Sequence, residues 1–369
     1  MSRRIRVGIV FGGQSAEHEI SILSARNVLA ALDLSRFEPV LIGIDKSGRW
    51  LLQDAGRLLA SERDPRLVRI EHGAPAELPS VFGSEAPGQG APLQPLDVVF
   101  PVLHGTIGED GCVQGLLEVA GVPYVGAGVL GSAIGMDKDV MKRLLRDAGI
   151  AVADFRTLRR ARFDADCAAA CAELAALGLP LFVKPANAGS SVGISRVTQH
   201  ADLEQALRRA FEFDSKVLAE AAVAGREIEL AVLGGTAPSV SIAGEIIVEH
   251  RDGFYSYDAK YIDEQGVKFE LPAKITPEQQ AEAQAIALRT FEVLECEGLA
   301  RVDLFLNAAG TFLVNEINTL PGFTAISMYP KLWALSGIPQ QVLITRLIDL
   351  ALERARQRAR LRRSMAAHP

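Results

Sequence analysis

Between Leu299 and Gly322 the chain reads LARVDLFLNAAGTFLVNEINTLPG, a pattern with few structural solutions. Leu299 to Leu306 alternates with the period of a strand, Asn307 to Gly310 has turn composition, and Thr311 to Asn318 alternates again, which predicts a β-hairpin. With Leu306 opposite Thr311, the side chains of Arg301, Asp303, Glu316 and Asn318 project from one face. Val302, Leu304, Leu306, Leu313 and Ile317 then form the face that anchors on a core, with Asn315 as the exception. In this register Asp303 and Glu316 are diagonal neighbours, their Cα atoms ~7 Å apart, so their oxygens converge on any cation held between them. Oxygen-only ligands suit Mg²⁺, which pairs a few carboxylates with substrate phosphates. A hairpin with a solvated charged face has the same spacing. The Asn318-Thr319-Leu320-Pro321-Gly322 turn favours a site, because a small Gly-ended turn lets backbone N–H groups approach a substrate.

At 369 residues and ~150 residues per domain, two or three domains are expected. A net charge of -6 gives the molecule no pull toward nucleic acid or an anionic membrane, which leaves a small molecule as the expected partner. No run of 18 apolar residues is present to span a bilayer. Arg3, Arg4 and Arg6 before Val7 to Phe11 superficially suggest a signal peptide, but that apolar run is short and leads through Gly12-Gly13 to Glu17 and Glu19. Cys112, Cys167, Cys171 and Cys296 show neither zinc spacing nor a CxxC pair, so they read as thiols of a reducing cytoplasm.

Ile5 to Phe11 reads as a buried parallel strand, followed by a glycine turn and a helix with Ser15 as N-cap. The turn lacks the third glycine of GxGxxG, and its glutamates would repel a pyrophosphate. A carboxylate such as Glu17 at the C-terminal edge of a parallel sheet suits an ammonium group, or else simply faces the helix dipole. Periodicity is lost from Leu52 to Pro95, an expected partly ordered insertion, and returns with the strand Leu96 to Leu103 and then His104. Met136 to Ala148 reads as a helix with Lys138 near its start, and Pro180 to Lys184 as a strand leading into Pro185 to Gly193, a small-residue loop able to fold over phosphates. The lysine precedes the glycines, which excludes a P-loop. Glu220 ends a strand from Lys216, Gly225 opens another, and Ser239 to Val248 reads as a further strand. Gly253 to Gly266 looks like an aromatic lid, Thr276-Pro277 caps a helix, and the arginines closing the 339–363 helix read as a solvated face.

Taken together, GGQSAEHEIS (12–21), His104 to Gly111, Gly135-Met136-Asp137-Lys138, VKPANAGSSVG (183–193), YDAKY (257–261), Arg301 to Asp303 and Asn315 to Gly322 resemble the D-alanine–D-alanine ligases of the ATP-grasp superfamily. The resemblance implies α/β and α+β architecture: a doubly wound parallel-sheet N-terminal domain (1–135), then a two-domain ATP-grasp fold with a central part (136–222) and a C-terminal part (223–369). It also implies ATP-dependent joining of two D-alanines through an acyl phosphate, for peptidoglycan in cell-wall biosynthesis. By the same resemblance Lys138 and Lys184 meet the ATP phosphates, Ser190 and Ser191 cover them, Glu220 falls near the adenine and Glu227 at the ribose, and Lys260 reaches the transferred phosphate. Asp303, Glu316 and Asn318 would hold two Mg²⁺ ions, with Mn²⁺ as a substitute. Glu17 would bind the first D-alanine's ammonium, His104 its carboxylate region, and Ser327 with Met328 the second D-alanine, while Arg301 and the Gly322 N–H form the oxyanion site and Tyr261 closes the lid. Ala221, where many members carry Lys or Gln, is a departure, and Met328 replaces a commoner leucine. A cytoplasmic homodimer is implied. Two rivals stay open: a ligase for another carboxylate and acceptor, and a nucleotide-binding regulator without catalysis.

Overall fold

The computed structural model describes residues 3–61, 64, 67–70, 73–76, 95–248 and 267–362. Its first sheet contains β1 (Ile5–Gly12), β2 (Phe37–Ile44), β3 (Trp50–Gln53) and β4 (Val98–Leu103), in the order β3-β2-β1-β4. The strand β1 pairs in parallel with β2 and β4, and β3 closes one edge antiparallel. Alternate β1 residues serve opposite cores: Val7, Ile9 and Phe11 pack with Ile22, Ala25 and Val28 of the helix His18–Ala30, whereas Val10 packs with Val113 and Leu117 of the helix Cys112–Ala120. Helices on both faces explain why β1 is a continuous apolar run, and they make this unit doubly wound.

The second sheet, antiparallel, comprises β5 (Phe155–Arg159), β6 (Leu181–Pro185), β7 (Ser195–Val197) and β8 (Lys216–Ala221), ordered β5-β8-β6-β7. The third holds β9 (Gly225–Gly234), β10 (Ser239–Val240), β11 (Gly244–Val248), β12 (Val267–Glu270), β13 (Gly298–Asn307) and β14 (Phe312–Asn318), ordered β12-β11-β9-β13-β14 with β10 on β9. The helix Pro277–Val293 starts in a complete capping box between Thr276 and Gln279, and its Ala283, Ala287 and Phe291 bury the side of this sheet that carries Val302, Leu304 and Leu306. The sheets leave their polar faces to a shared cleft.

Several details differ from expectation, each for a local reason. The first helix begins at His18 rather than after Ser15, because the Ser15 hydroxyl accepts the Glu17 N–H within the loop. Met136 ends a separate helix, Val129–Met136, and Asp137 breaks the path by capping Lys138–Asp147 through Val140 N–H. Ser239 to Val248 is two strands, β10 and β11, with Ser241 between them accepting Ala231 N–H through its hydroxyl. Part of the 52–95 insertion is built: the helix Ala55–Ala60 buries Leu58, and Val68 joins the same core. The arginines near the C-terminus are a solvated face only in part: Arg356, Arg360 and Arg362 are exposed, but Arg354 and Arg358 are not. Arg354 donates to the carbonyls of Gly126 (2.6 Å) and Tyr124 (2.7 Å), and Arg358 pairs with Glu118 and Glu297. They fasten the helix Gln340–Ala359 across the Tyr124 to Gly128 joint.

Candidate functional site

A cavity of about 1570 Å³ lies where the three sheets meet. Drug-sized pockets run to ~1,000 Å³, so this one has room for a large ligand and a smaller one side by side. One wall comes from β6, β8 and the start of the helix Lys138–Asp147. Lys184 donates to Glu220 at 3.2 Å, and the other Glu220 oxygen lies 3.1 Å from Lys142. Lys138 reaches Ala188 O at 2.8 Å and Glu316 at 3.7 Å, so it spans from this wall to the opposite one. Glu220 is buried, yet its carboxyl sits below the ordinary range: burial raises it, and Lys142 and Lys184 together outweigh burial. Its carboxylate is held by the two lysines. Beyond β6, Ser190 and Ser191 adopt φ of 49° and 59°, a left-handed conformation that costs a non-glycine residue about 1 kcal/mol or more.

The opposite wall is β9, β13 and β14, and here the register differs from the sequence-based one. Leu306 pairs with Phe312, and a β-bulge accommodates the extra residue Asn315, so Asp303 stands directly opposite Glu316 and Arg301 opposite Asn318. The bulge sits on an edge strand where Val314 N–H turns outward to Ala151 O at 2.8 Å. It also reassigns the core face to Phe312, Val314 and Ile317 in place of Leu313. The four polar residues still share the cavity face, as the hairpin reading required. Arg301 forks onto Asp303 with two 2.7 Å bonds and lies 3.2 Å from Glu229 on β9. Burial would lower the Arg301 pKa, but Asp303, Glu229 and Glu316 raise it well above its ordinary value, so it is permanently charged.

The third side belongs to the first sheet. Glu17 is buried at the start of the helix His18–Ala30, and a Cβ on Gly189 would stand 3.0 Å from its Oε2, so the serine loop passes close to this carboxylate. His104, just past β4, lies 3.5 Å from Glu109 and 3.4 Å from Ser24 Oγ. Burial lowers its pKa, but the Glu109 contact and the Glu17 charge prevail and raise it. Ser24 Oγ also accepts Phe323 N–H at 3.2 Å, which ties this side to the turn after β14. At that turn a Cβ on Gly322 would meet Ser327 Oγ at 2.9 Å, so the backbone here runs close to Ser327. Ser327 and Met328 open the helix Met328–Leu335 at the cavity edge.

Glu17, His104, Lys138, Lys184, Ser190, Ser191, Glu220, Glu227, Arg301, Asp303, Glu316, Asn318, Gly322, Ser327 and Met328 therefore all line one cavity. Lys260, Tyr261 and the rest of the Gly253 to Gly266 lid lie outside the described residues. Among the described residues no three His, Cys, Asp or Glu side chains form a ready metal cluster. The oxygen set is two opposed carboxylates and an amide whose Oδ1 is fixed by Leu320 N–H at 3.1 Å. This set fits Mg²⁺ that takes its remaining ligands from phosphate and water. Lys142, Glu229 and Glu109 were missed in the sequence. Lys142 sits at i+4 from Lys138 in the buried stripe with Met141 and Leu145, and Glu229 repeats the outward parity of Glu227; both spacings were legible signals.

Two family models match the chain: one described as D-ala D-ala ligase N-terminus over residues 6–127, the other as D-ala D-ala ligase C-terminus over residues 144–349. The sequence is 52% identical to D-alanine–D-alanine ligase A of Chromobacterium violaceum, an alignment covering 98% of this chain and 99% of that protein. The fold is similar to a solved D-alanine–D-alanine ligase from Coxiella burnetii at TM-score 0.81 and 36% identity, covering 97% of each chain. It is equally similar to a D-Ala:D-Ser ligase from Enterococcus faecalis, at TM-score 0.81 and 34% identity, covering 95% of this chain and 100% of that one.

Proposed function

The chain belongs to the D-alanine–D-alanine ligase family, and from that premise we propose that it joins two D-alanines to D-alanyl-D-alanine at the expense of ATP, supplying peptidoglycan synthesis. The observation that carries this reading is the cavity itself, with a lysine wall facing a carboxylate wall and a buried Glu17 at one end.

A carboxylate does not react with an amine until one of its oxygens becomes a leaving group. The γ-phosphoryl of ATP is transferred to the first D-alanine's carboxylate, and the second D-alanine's amine then attacks the acyl phosphate and expels phosphate. In this reading Lys138 and Lys184 hold the nucleotide phosphates, and the N–H groups of Ser190 and Ser191 fold over them. Glu220 orders Lys184, and Glu227, on β9 opposite Phe305, takes the ribose. Asp303, Glu316 and Asn318 hold Mg²⁺, which neutralises charge on the transferring group when bound. Arg301 and the Gly322 N–H stabilise the tetrahedral oxyanion, where each aimed donor is worth about 3 kcal/mol. Glu17 receives the first D-alanine's ammonium with His104 beside its carboxylate. Ser327, at a helix N-terminus that favours anions, receives the carboxylate of the second, with Met328 packing beside it. Lys260 and Tyr261 complete the reading as the lid that excludes water from the acyl phosphate.

The division into 1–135, 136–222 and 223–369, the homodimer and the cytoplasmic setting belong to the same proposal. No helix among the described residues is long and apolar enough to cross a membrane. The test is ADP release that requires D-alanine, with D-Ala-D-Ala identified as the product and D-serine and D-lactate run as competing acceptors. ATP bound without turnover on any of these would instead favour a regulator.

A further inference from the structure

Among the described residues Lys142 is the most buried charged side chain beside the cavity, with 1% of its side chain exposed, and it does not line the cavity. It stands behind the wall, 3.1 Å from a Glu220 carboxylate that is itself 2% exposed, while the other Glu220 oxygen holds Lys184 at 3.2 Å. Neither Lys142 Nζ nor the Glu220 oxygen facing it makes a well-directed hydrogen bond, so charge rather than bond geometry holds this pair. A buried ion pair is weak evidence of a stabilising role, and apolar residues would fill such a position at less cost. The arrangement along the wall is positive, negative, positive: Lys184 and Glu220 line the cavity and Lys142 stands behind them.

We propose that Lys142 is a positioning residue for the nucleotide site: it neutralises Glu220 from behind, so that Glu220 orients Lys184 without cancelling the charge Lys184 presents to phosphate. With Lys142 absent, Glu220 and Lys184 form a neutral pair and the wall loses its attraction for polyphosphate. This inference rests on the reading of the lysine wall as an ATP site, and it makes phosphate affinity follow the summed charge of the triad.

The experiment is equilibrium binding of ATP with Mg²⁺ to the full chain, beside steady-state kinetics, for wild type, Lys142→Met, Lys142→Gln and Lys142→Met/Glu220→Gln, with thermal unfolding as the check on folding. The single variants are expected to bind ATP roughly tenfold or more weakly, as when one partner of a buried charge pair is removed. Their KM for ATP rises while KM for D-alanine stays. Glu220→Gln in the Lys142→Met background removes the uncompensated negative charge and returns ATP affinity to within about threefold of wild type, which a merely structural role for Lys142 does not predict. The double variant buries no uncompensated carboxylate and keeps Lys184 as the one charge of the triad, on the cavity wall, so it reports even where Lys142→Met folds poorly. Wild-type affinity in the single variants, or a double variant as weak as they are, overturns the proposal. A wild-type chain that binds no ATP overturns the nucleotide reading beneath it.

Discussion

The two walls of the cavity handle buried charge in opposite ways. On the β6–β8 side lysines outnumber their one carboxylate, Glu220, so that wall can meet phosphate directly. On the β9–β13–β14 side Glu227, Glu229, Asp303 and Glu316 share the wall with a single lining arginine, Arg301, so that wall repels phosphate until cations are added. The supports differ as well. The lysines depend on a long-range triad joining a helix to two strands, whereas Arg301 and Asp303 are two residues apart on one strand, already aligned by the pleat. One wall is therefore sensitive to the docking of elements, and the other to register. The bulge at Asn315 fixes that register, since a slip by one residue would turn Glu316 away from the cavity.

This contrast predicts a ranking. Glu316→Ala should have the largest effect: turnover in Mg²⁺ falls by more than about 10³, with a thermal midpoint near wild type because Glu316 is only partly buried. Full activity would break the claim that this wall works through cations. Arg301→Met should lower kcat by about 10² to 10³. It should also cost about 3–5 kcal/mol in denaturant unfolding, because Asp303 and Glu229 are left buried without their cation. Arg301→Lys keeps the charge but loses the fork, and an intermediate kcat would sharpen the point. Smaller still is Ser191→Gly. It relieves the φ of 59° and should gain up to about 1 kcal/mol of stability while turnover slows, a split that separates backbone strain from the hydroxyl's contribution.

The smallest expected effect is a pH dependence on the third side. His104 has its folded pKa raised above the ordinary 6.5: burial opposes this, and Glu109 and Glu17 override it. Glu109 is also raised, by burial first and then by the Glu17 charge, although His104 pulls it down. The native state thus binds protons more tightly than the unfolded chain. The stability His104 contributes is complete below its unfolded pKa and is lost as pH rises through the folded one. Denaturant midpoints should fall above neutral pH, and His104→Gln should flatten that slope.

How much of this was readable in advance follows from which forces act locally. The hairpin and its polar face came from period-two alternation, which depends on nearest neighbours, and the structure keeps all four residues together. The bulge escaped because its cause is a partner far along the chain, the Ala151 carbonyl that takes Val314 N–H. Lys142 and the arginines Arg354 and Arg358 were obscured for another reason. A charged residue on a helix is solvated by default, and only the tertiary arrangement supplies Glu220, Glu118 or Glu297 to hold it. The position of Glu17 on the cavity was legible because the C-terminal edge of a parallel sheet is where such clefts open, whatever the turn sequence.

The central claim is that the two walls deliver one phosphoryl group to a carboxylate. The direct measurement is the fate of ¹⁸O when D-alanine labelled in its carboxylate is turned over with unlabelled ATP. The account predicts that one labelled oxygen leaves with each inorganic phosphate released, because the bond from carbon to that oxygen breaks when the second amine attacks. Phosphate free of label, with the oxygen lost from the first carboxylate appearing in water instead, would contradict it.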